Sequence, residues 1–188
     1  MSALYLGLVH YPVNNKRGEV VTTSVTNLDI HDISRSCRTF GVKKYFLVTP
    51  LQAQHQLVSR ILGHWEEDKS ALYNPDRQDA LSVAMLIKSV EDAVAWIEEK
   101  EGVKPLIAVT GANFKHYHGD GQKLREMMNL DKRPCLLLFG TGWGLNARIV
   151  EMADFALEPL FGAATDGYNH LSVRSAVAIY LDRIQKRS

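Results

Sequence analysis

A chain of 188 residues suits one domain with a sizeable core. Its 46% apolar and 23% charged content is ordinary for a globular protein. The formal net charge of +1 excludes polyanion binding by overall charge, so a surface for nucleic acid has to be a local patch.

No apolar run reaches the ~18 residues of a membrane helix. The start Met1-Ser-Ala-Leu-Tyr-Leu lacks a basic opening and reads as a first strand, not a signal peptide. Cys37 and Cys135 fall in an expected helix and an expected buried strand, as two reduced thiols of a cytoplasmic protein would. Ala3 to Val9 is the first strand. The stretch from His10 to Thr26 is long for a connection without structure, and such connections are usually functional or disordered. Within it, Thr22 to Val25 is placed as a short edge strand. Asn27 or Asp29 caps a helix that runs to Thr39. Ile30, Ile33, Cys37 and Phe40 recur there at helical spacing and mark the core face, with Arg35 and Arg38 on other faces. Gly41 ends that helix.

Lys43 to Thr49 is the second strand, and Pro50 opens a helix over 51–64. Trp65 to Asp79 reads as a polar segment with a turn at Asn74-Pro75-Asp76. Leu81 to Ile87 is the third strand, and Ser89 with Asp92 caps a helix over 90–101. The fourth strand, Val103 to Thr110, ends in Thr110-Gly-Ala-Asn113. A loop with His116 and His118 leads to a helix over Gly121 to Leu130. The fifth strand, Cys135 to Phe139, empties into Gly140-Thr-Gly-Trp-Gly144. A helix over Asn146 to Met152, a sixth strand at Phe155 to Leu157 and a last helix over 170–185 complete the chain. Strands alternate with helices throughout, which predicts an α/β fold with a mainly parallel six-stranded sheet, in one domain over residues 1–188.

Three strand exits carry small or turn residues: Thr110-Gly111, Gly140 to Gly144, and Pro159 to Gly162. In open α/β sheets that edge is where ligands sit. Gly140-x-Gly142-x-Gly144 is neither G-x-G-x-x-G nor a P-loop. The spacing argues against a phosphate cradle and for a backbone-lined pocket. As pure structure, the glycines would serve only tight packing. His116 and His118 are joined by no cysteine or carboxylate set, so no metal is expected. No Ser-His-Asp or paired-carboxylate signature stands out. His10, Tyr11, Lys16 and Arg17 sit at the first strand's exit, as a flexible basic loop or as a lid whose cations meet phosphates.

Strand-Phe139-Gly-Thr-Gly-Trp-Gly-Leu145, then Leu157-Glu-Pro-Leu-Phe-Gly162, then Asn169-His-Leu-Ser-Val-Arg-Ser-Ala176 resembles the second and third motifs of the SPOUT RNA methyltransferases. Within them the chain most resembles small bacterial stand-alone domains. Asn27 to Asp29, Arg35 and Gly41-Val42 resemble the first motif, with Asp29 where a second Asn is usual. The resemblance covers nearly the whole chain. It implies helices on both sheet faces, a deep C-terminal trefoil knot and a homodimer. It also implies S-adenosylmethionine as cofactor and an RNA substrate, tRNA or rRNA, methylated at a base nitrogen or a ribose hydroxyl. The implied catalytic residues are Arg35 and Ser172. Cofactor contacts fall on Thr110, Gly111, Phe139, Gly140, Thr141, Gly142, Gly144, Leu160, Gly162, Asn169, His170 and Leu171. Phe139, Leu160 and Leu171 would form an apolar wall, and His10, Tyr11, Lys16 and Arg17 would touch RNA. The structural readings stay beside these: a surface ion pair for Arg35, and helix capping for Asn169. Two other functions fit the chain less well. One is a knotted module that binds the cofactor without catalysis. The other is a Rossmann-like nucleotide enzyme, against which the missing G-x-G-x-x-G counts.

Overall fold

The computed structural model describes residues 2–66 and 74–186. Its axis is β1 (Leu4–Val9), six consecutive buried residues in the middle of the main sheet. An all-apolar run is what a strand covered on both faces requires. Leu4, Leu6 and Leu8 point into one hydrophobic layer, and Tyr5 and Val9 into the other. β1 is followed by a small antiparallel hairpin, β2 (Val13–Asn14) and β3 (Val20–Val21). The expected strand at Thr22–Val25 is absent. The pairing sits earlier, on segments too short to show a period.

Next come α1 (Asn27–Thr39), β4 (Tyr45–Val48), α2 (Gln52–Glu66), α3 (Pro75–Leu81) and β5 (Ala84–Ile87). The remainder is α4 (Val90–Glu101), β6 (Leu106–Val109), α5 (Gly121–Asp131), β7 (Cys135–Gly140), α6 (Ala147–Glu151), β8 (Phe155–Ala156) and α7 (Val173–Gln185). The order β5-β4-β1-β7-β6-β8 is parallel at every pair. The α/β class, the six strands and the parallel sheet expected from sequence are all present. Helices α1, α5 and α7 pack on one face through Ile33, Leu124 and Val177, and α4 and α6 on the other through Ile97 and Ile149. Cys37 and Cys135 are buried free thiols, and burial raises both, Cys135 to about 12.

Several boundaries differ from the sequence expectation for local reasons. Thr26, not Asn27 or Asp29, is the cap of α1, its hydroxyl accepting the Asp29 N–H at 3.1 Å. α2 runs past the expected end to Glu66 and takes in Trp65. Asn74-Pro75 does not form an isolated turn but caps α3, with Pro in the first turn where its missing N–H is harmless. Residues 67–73 of that expected polar segment lie outside the described residues. The third strand begins at Ala84 because α3 takes Leu81. The last helix begins at Val173, and its cap is Ser172 rather than Asn169.

Candidate cofactor and RNA site

β7, β6 and β8 are parallel neighbours, so their carboxyl ends open on one edge of the sheet. The three small-residue exits therefore leave side by side. Thr110 is buried at the end of β6, and its hydroxyl donates to the Leu138 carbonyl at 3.1 Å. After β7 the glycine loop folds back tightly. A Cβ on Gly140 would come within 2.5 Å of the Leu145 nitrogen, so Gly140 is required by the loop's own turn. Gly142 and Gly144 have φ of 60° and 101°, the left-handed range that favours glycine. A Cβ on Gly144 would meet nothing within 4 Å, so beside it there is open space. After β8, Gly162 is exposed, and Asn169 fastens this exit. Asn169 accepts the Gly162 N–H at 3.1 Å and donates to the Leu160 carbonyl at 2.7 Å.

The segment after β1 lies against the glycine loop. Asn14 N–H donates to the Gly144 carbonyl at 3.1 Å, and Trp143 N–H donates to the Asn14 carbonyl at 3.1 Å. Thr141 donates its hydroxyl to Val9, and hydroxyl contacts continue from Thr141 to Thr23. His10 Nδ1 meets the Thr23 hydroxyl at 3.0 Å. His10 is fully buried, so it presents no surface to RNA; it props the loop from below. Burial pushes its imidazole down to about 4 against the opposing pull of Asp29. Tyr11, Lys16 and Arg17 are exposed at the hairpin and its turn.

Phe139 and Leu160, expected as cofactor wall, are buried in the core layer under α7, where Phe139 packs against Tyr180 at 5.9 Å between ring centroids. The pleat explains this for Phe139: Cys135, Leu137 and Phe139 alternate onto one face. Both back the site rather than line it. His170 and Leu171 are exposed beside Asn169, in the lead-in to α7.

Arg35 and Ser172 come from opposite ends of the chain and line one open cavity of about 660 Å³ between α1 and α7. Ser172 caps α7, accepting the Ser175 N–H at 3.2 Å. Arg174 lies in the same cavity, and its sequence surroundings gave no sign of its role. It donates from Nη1 to Asp29 Oδ1 at 3.0 Å and lies 3.4 Å from Asp32 Oδ2 through Nε. Asp29 is buried, also accepts from the Thr26 hydroxyl at 2.6 Å, and so joins the two helices that frame Arg35. No group of three or more metal-ligating side chains occurs among the described residues.

A neutral adenosyl group fits this edge. It needs backbone donors and acceptors, an apolar backing and room beside a glycine, and the loop supplies all three. The N–H groups of Gly142, Phe161 and Leu171 have no protein partner among the described residues. They come from the loops after β7 and β8 and from the lead-in to α7.

A family model described as SAM-dependent RNA methyltransferase matches residues 3–186. A tRNA (guanine-N(1)-)-methyltransferase of Oleidesulfovibrio alaskensis is 42% identical over 181 residues, covering 96% of this chain and 41% of that protein. The chain thus spans about two-fifths of the length of such curated relatives. An uncharacterized protein of Aquifex aeolicus is 34% identical over 185 residues, 98% of this chain and 89% of that one. Among solved structures, the SpoU methyltransferase AviRb of Streptomyces viridochromogenes, in complex with AdoMet, has a TM-score of 0.60 at 16% identity, covering 98% of this chain and 60% of that one. The TrmH/SpoU tRNA modifying enzyme of A. aeolicus has a TM-score of 0.56 at 16% identity, covering 99% and 75%. The backbone is therefore of the SpoU type, and with the match over residues 3–186 the chain belongs to the SAM-dependent RNA methyltransferase family.

Proposed function

We propose that the protein methylates tRNA, with the cofactor held by the loops after β6, β7 and β8 and the target nucleotide held between α1 and α7. The observation that carries the placement is the shared cavity of Arg35 and Ser172, flanked by the exposed lead-in His170-Leu171. tRNA is favoured over rRNA by the names of the longer relatives and of the A. aeolicus neighbour. Guanine N1 is not carried over, because the chain spans only two-fifths of the relatives that bear that name.

Bound at the glycine loop, S-adenosylmethionine supplies an electrophilic methyl carbon on a sulfonium. The chain's own part is alignment. Backbone groups of Gly142 and Leu171 hold the adenosyl moiety, with Thr110, Gly111, Thr141, Gly144 and Gly162 shaping the space. Asn169 fixes the Leu160–Gly162 loop. Arg35 holds a phosphate or the target nucleotide through its guanidinium. Ser172 presents the first free turn of α7 to the same cavity. Lys16 and Arg17 contact phosphates from the hairpin, with Tyr11 beside them.

A homodimer, the C-terminal knot and a cytoplasmic location belong to the same reading. The dimer is supported by α7, where Val173, Ala176 and Ile179 are only partly covered by the chain's own core. The knot is supported by the SpoU-type backbone. The location is supported by two buried free thiols. Light scattering should give twice the chain's 21.1 kDa, and a monomer would refute the dimer. The deciding experiment is methyl transfer from labelled cofactor to bulk tRNA, followed by nucleoside mass spectrometry. One labelled nucleoside is expected. Cofactor binding with no RNA labelled would replace this reading with that of a binding module.

A further inference from the structure

We propose that the groove between α1, α2 and α3 is a second RNA-binding surface, gripping an unpaired stretch of the substrate strand beyond the methylation site. It rests on the RNA methyltransferase reading above. The groove is open, about 610 Å³ in volume, and both long helices turn one stripe into it. On α1 the stripe is Leu28, His31, Asp32 and Arg35; on α2 it is Leu57, Arg60, Ile61, His64 and Trp65. Arg77 closes it from α3.

Among the described residues that line the groove, Arg35, Arg60 and Arg77 are the arginines, and the one carboxylate is Asp32, already engaged by Arg174. Among the described residues those three guanidinium groups have no ion pair. A chain of net charge +1 thus concentrates cations where two helices part, the local patch that a polyanion needs. Aromatic and apolar groups are interleaved with them. The Arg77 guanidinium lies 5.0 Å from the Trp65 ring centroid, and the rings of His31 and His64 meet Trp65 edge-on. Leu28 and Leu57 are exposed. Cations along a groove with ring and apolar surface between them suit single-stranded nucleic acid better than a duplex.

Continuity fixes where the strand goes. Asp32 and Arg35 line both this groove and the cavity that holds Ser172. A nucleotide placed at Arg35 therefore has its neighbours directed along α1 toward Arg60 and Arg77.

The test uses the full chain and deacylated bulk tRNA, with affinity read by fluorescence anisotropy over a series of salt concentrations. Arg60→Ala with Arg77→Ala should weaken tRNA binding about tenfold or more and lower the salt slope by roughly 1.4–1.8, two phosphate contacts' worth. S-adenosylmethionine affinity and molecular mass should stay at the wild-type values. Arg60→Lys with Arg77→Lys should restore most of the slope. Arg60→Glu alone leaves the Arg77–Trp65 contact in place, and should weaken tRNA binding even if the double variant folds poorly. Unchanged affinity and slope in Arg60→Ala with Arg77→Ala, beside a wild-type protein that binds tRNA, would overturn this proposal alone. A changed mass would also overturn it, making the groove an interface between copies. A wild-type protein that binds the cofactor and no tRNA would overturn the RNA reading itself, and this surface with it.

Discussion

Arg174 on the last helix donates to Asp29 on the first at 3.0 Å, across 145 residues of sequence. The carboxylate also belongs to the cap of α1, since Thr26 and Asp29 exchange hydrogen bonds there. One buried side chain thus starts one helix and anchors another. Arg174→Ala should lower stability by about 1–3 kcal/mol, because Asp29 keeps its burial and loses its partner. The urea midpoint should fall with the slope unchanged. Asp29→Asn keeps a cap acceptor and loses the charge, so its cost should be smaller.

Gly144→Ala tests the cofactor loop. The new Cβ meets no atom of the protein, but φ of 101° is costly for any other residue, on the order of 1–3 kcal/mol. The fold should persist while calorimetry shows S-adenosylmethionine binding lost or weakened at least tenfold. Gly140→Ala should differ, because its Cβ strikes the loop backbone and the protein itself should be destabilised. Wild-type cofactor affinity in Gly144→Ala would remove this loop from the site.

Arg35→Ala should leave cofactor affinity within a few-fold and cut methylation about ten- to a hundredfold, the worth of one charge-assisted contact. Lys16→Ala with Arg17→Ala should weaken RNA binding and flatten its salt dependence, with the rate at saturating RNA unchanged. Single-turnover assays with labelled cofactor separate the two effects. Methylation at the wild-type rate by Arg35→Ala would make that arginine a surface residue.

His10 should make stability depend on pH. Its folded value is lowered from 6.5 to about 4, chiefly by burial. Between those values the unfolded chain binds the proton and the folded chain does not. Its contribution is therefore complete above pH 6.5 and is lost as pH falls toward 4, a change on the order of a few kcal/mol. Urea midpoints measured at pH 7 and pH 5 should differ, and His10→Asn should shrink that difference. An equal pH dependence in both proteins would show that other groups govern the acid limb.

The strand-helix alternation and the glycine exit were readable because they depend on local sequence. The run Cys135 to Phe139 is apolar throughout, and Gly140 to Gly144 comes directly after it. Asn74-Pro75 was ambiguous, since the same pair signals a turn and a capped helix start. The residues after it settle the matter, because Ala80 and Leu81 pack inward at the end of a helical turn. The Val13–Val21 pairing spans two residues per strand, too few for any period. The inward aim of Phe139 was not legible, because a strand that is apolar throughout shows no alternation to say which of its faces lies under α7. The Arg174–Asp29 pair was not legible either, because nothing local in either helix names a partner at the other end of the chain. Burial of His10 was equally hidden: only the folded hairpin brings Thr23 and the glycine loop over it.

The central place of β1 also governs how this chain must be made. Its partner on one side, β4, comes soon after it, but the partner on the other side begins at Cys135. During synthesis, β5, β4 and β1 can assemble while one edge of β1 still shows a full row of unpaired backbone groups. Such an edge invites pairing with other chains until β7 emerges. The glycine loop forms only once β7 docks and Asn14 closes on Gly144. Ligand competence is therefore a late event in the life of each molecule, and a nascent or truncated chain ending before β7 is an aggregation hazard rather than a weak enzyme.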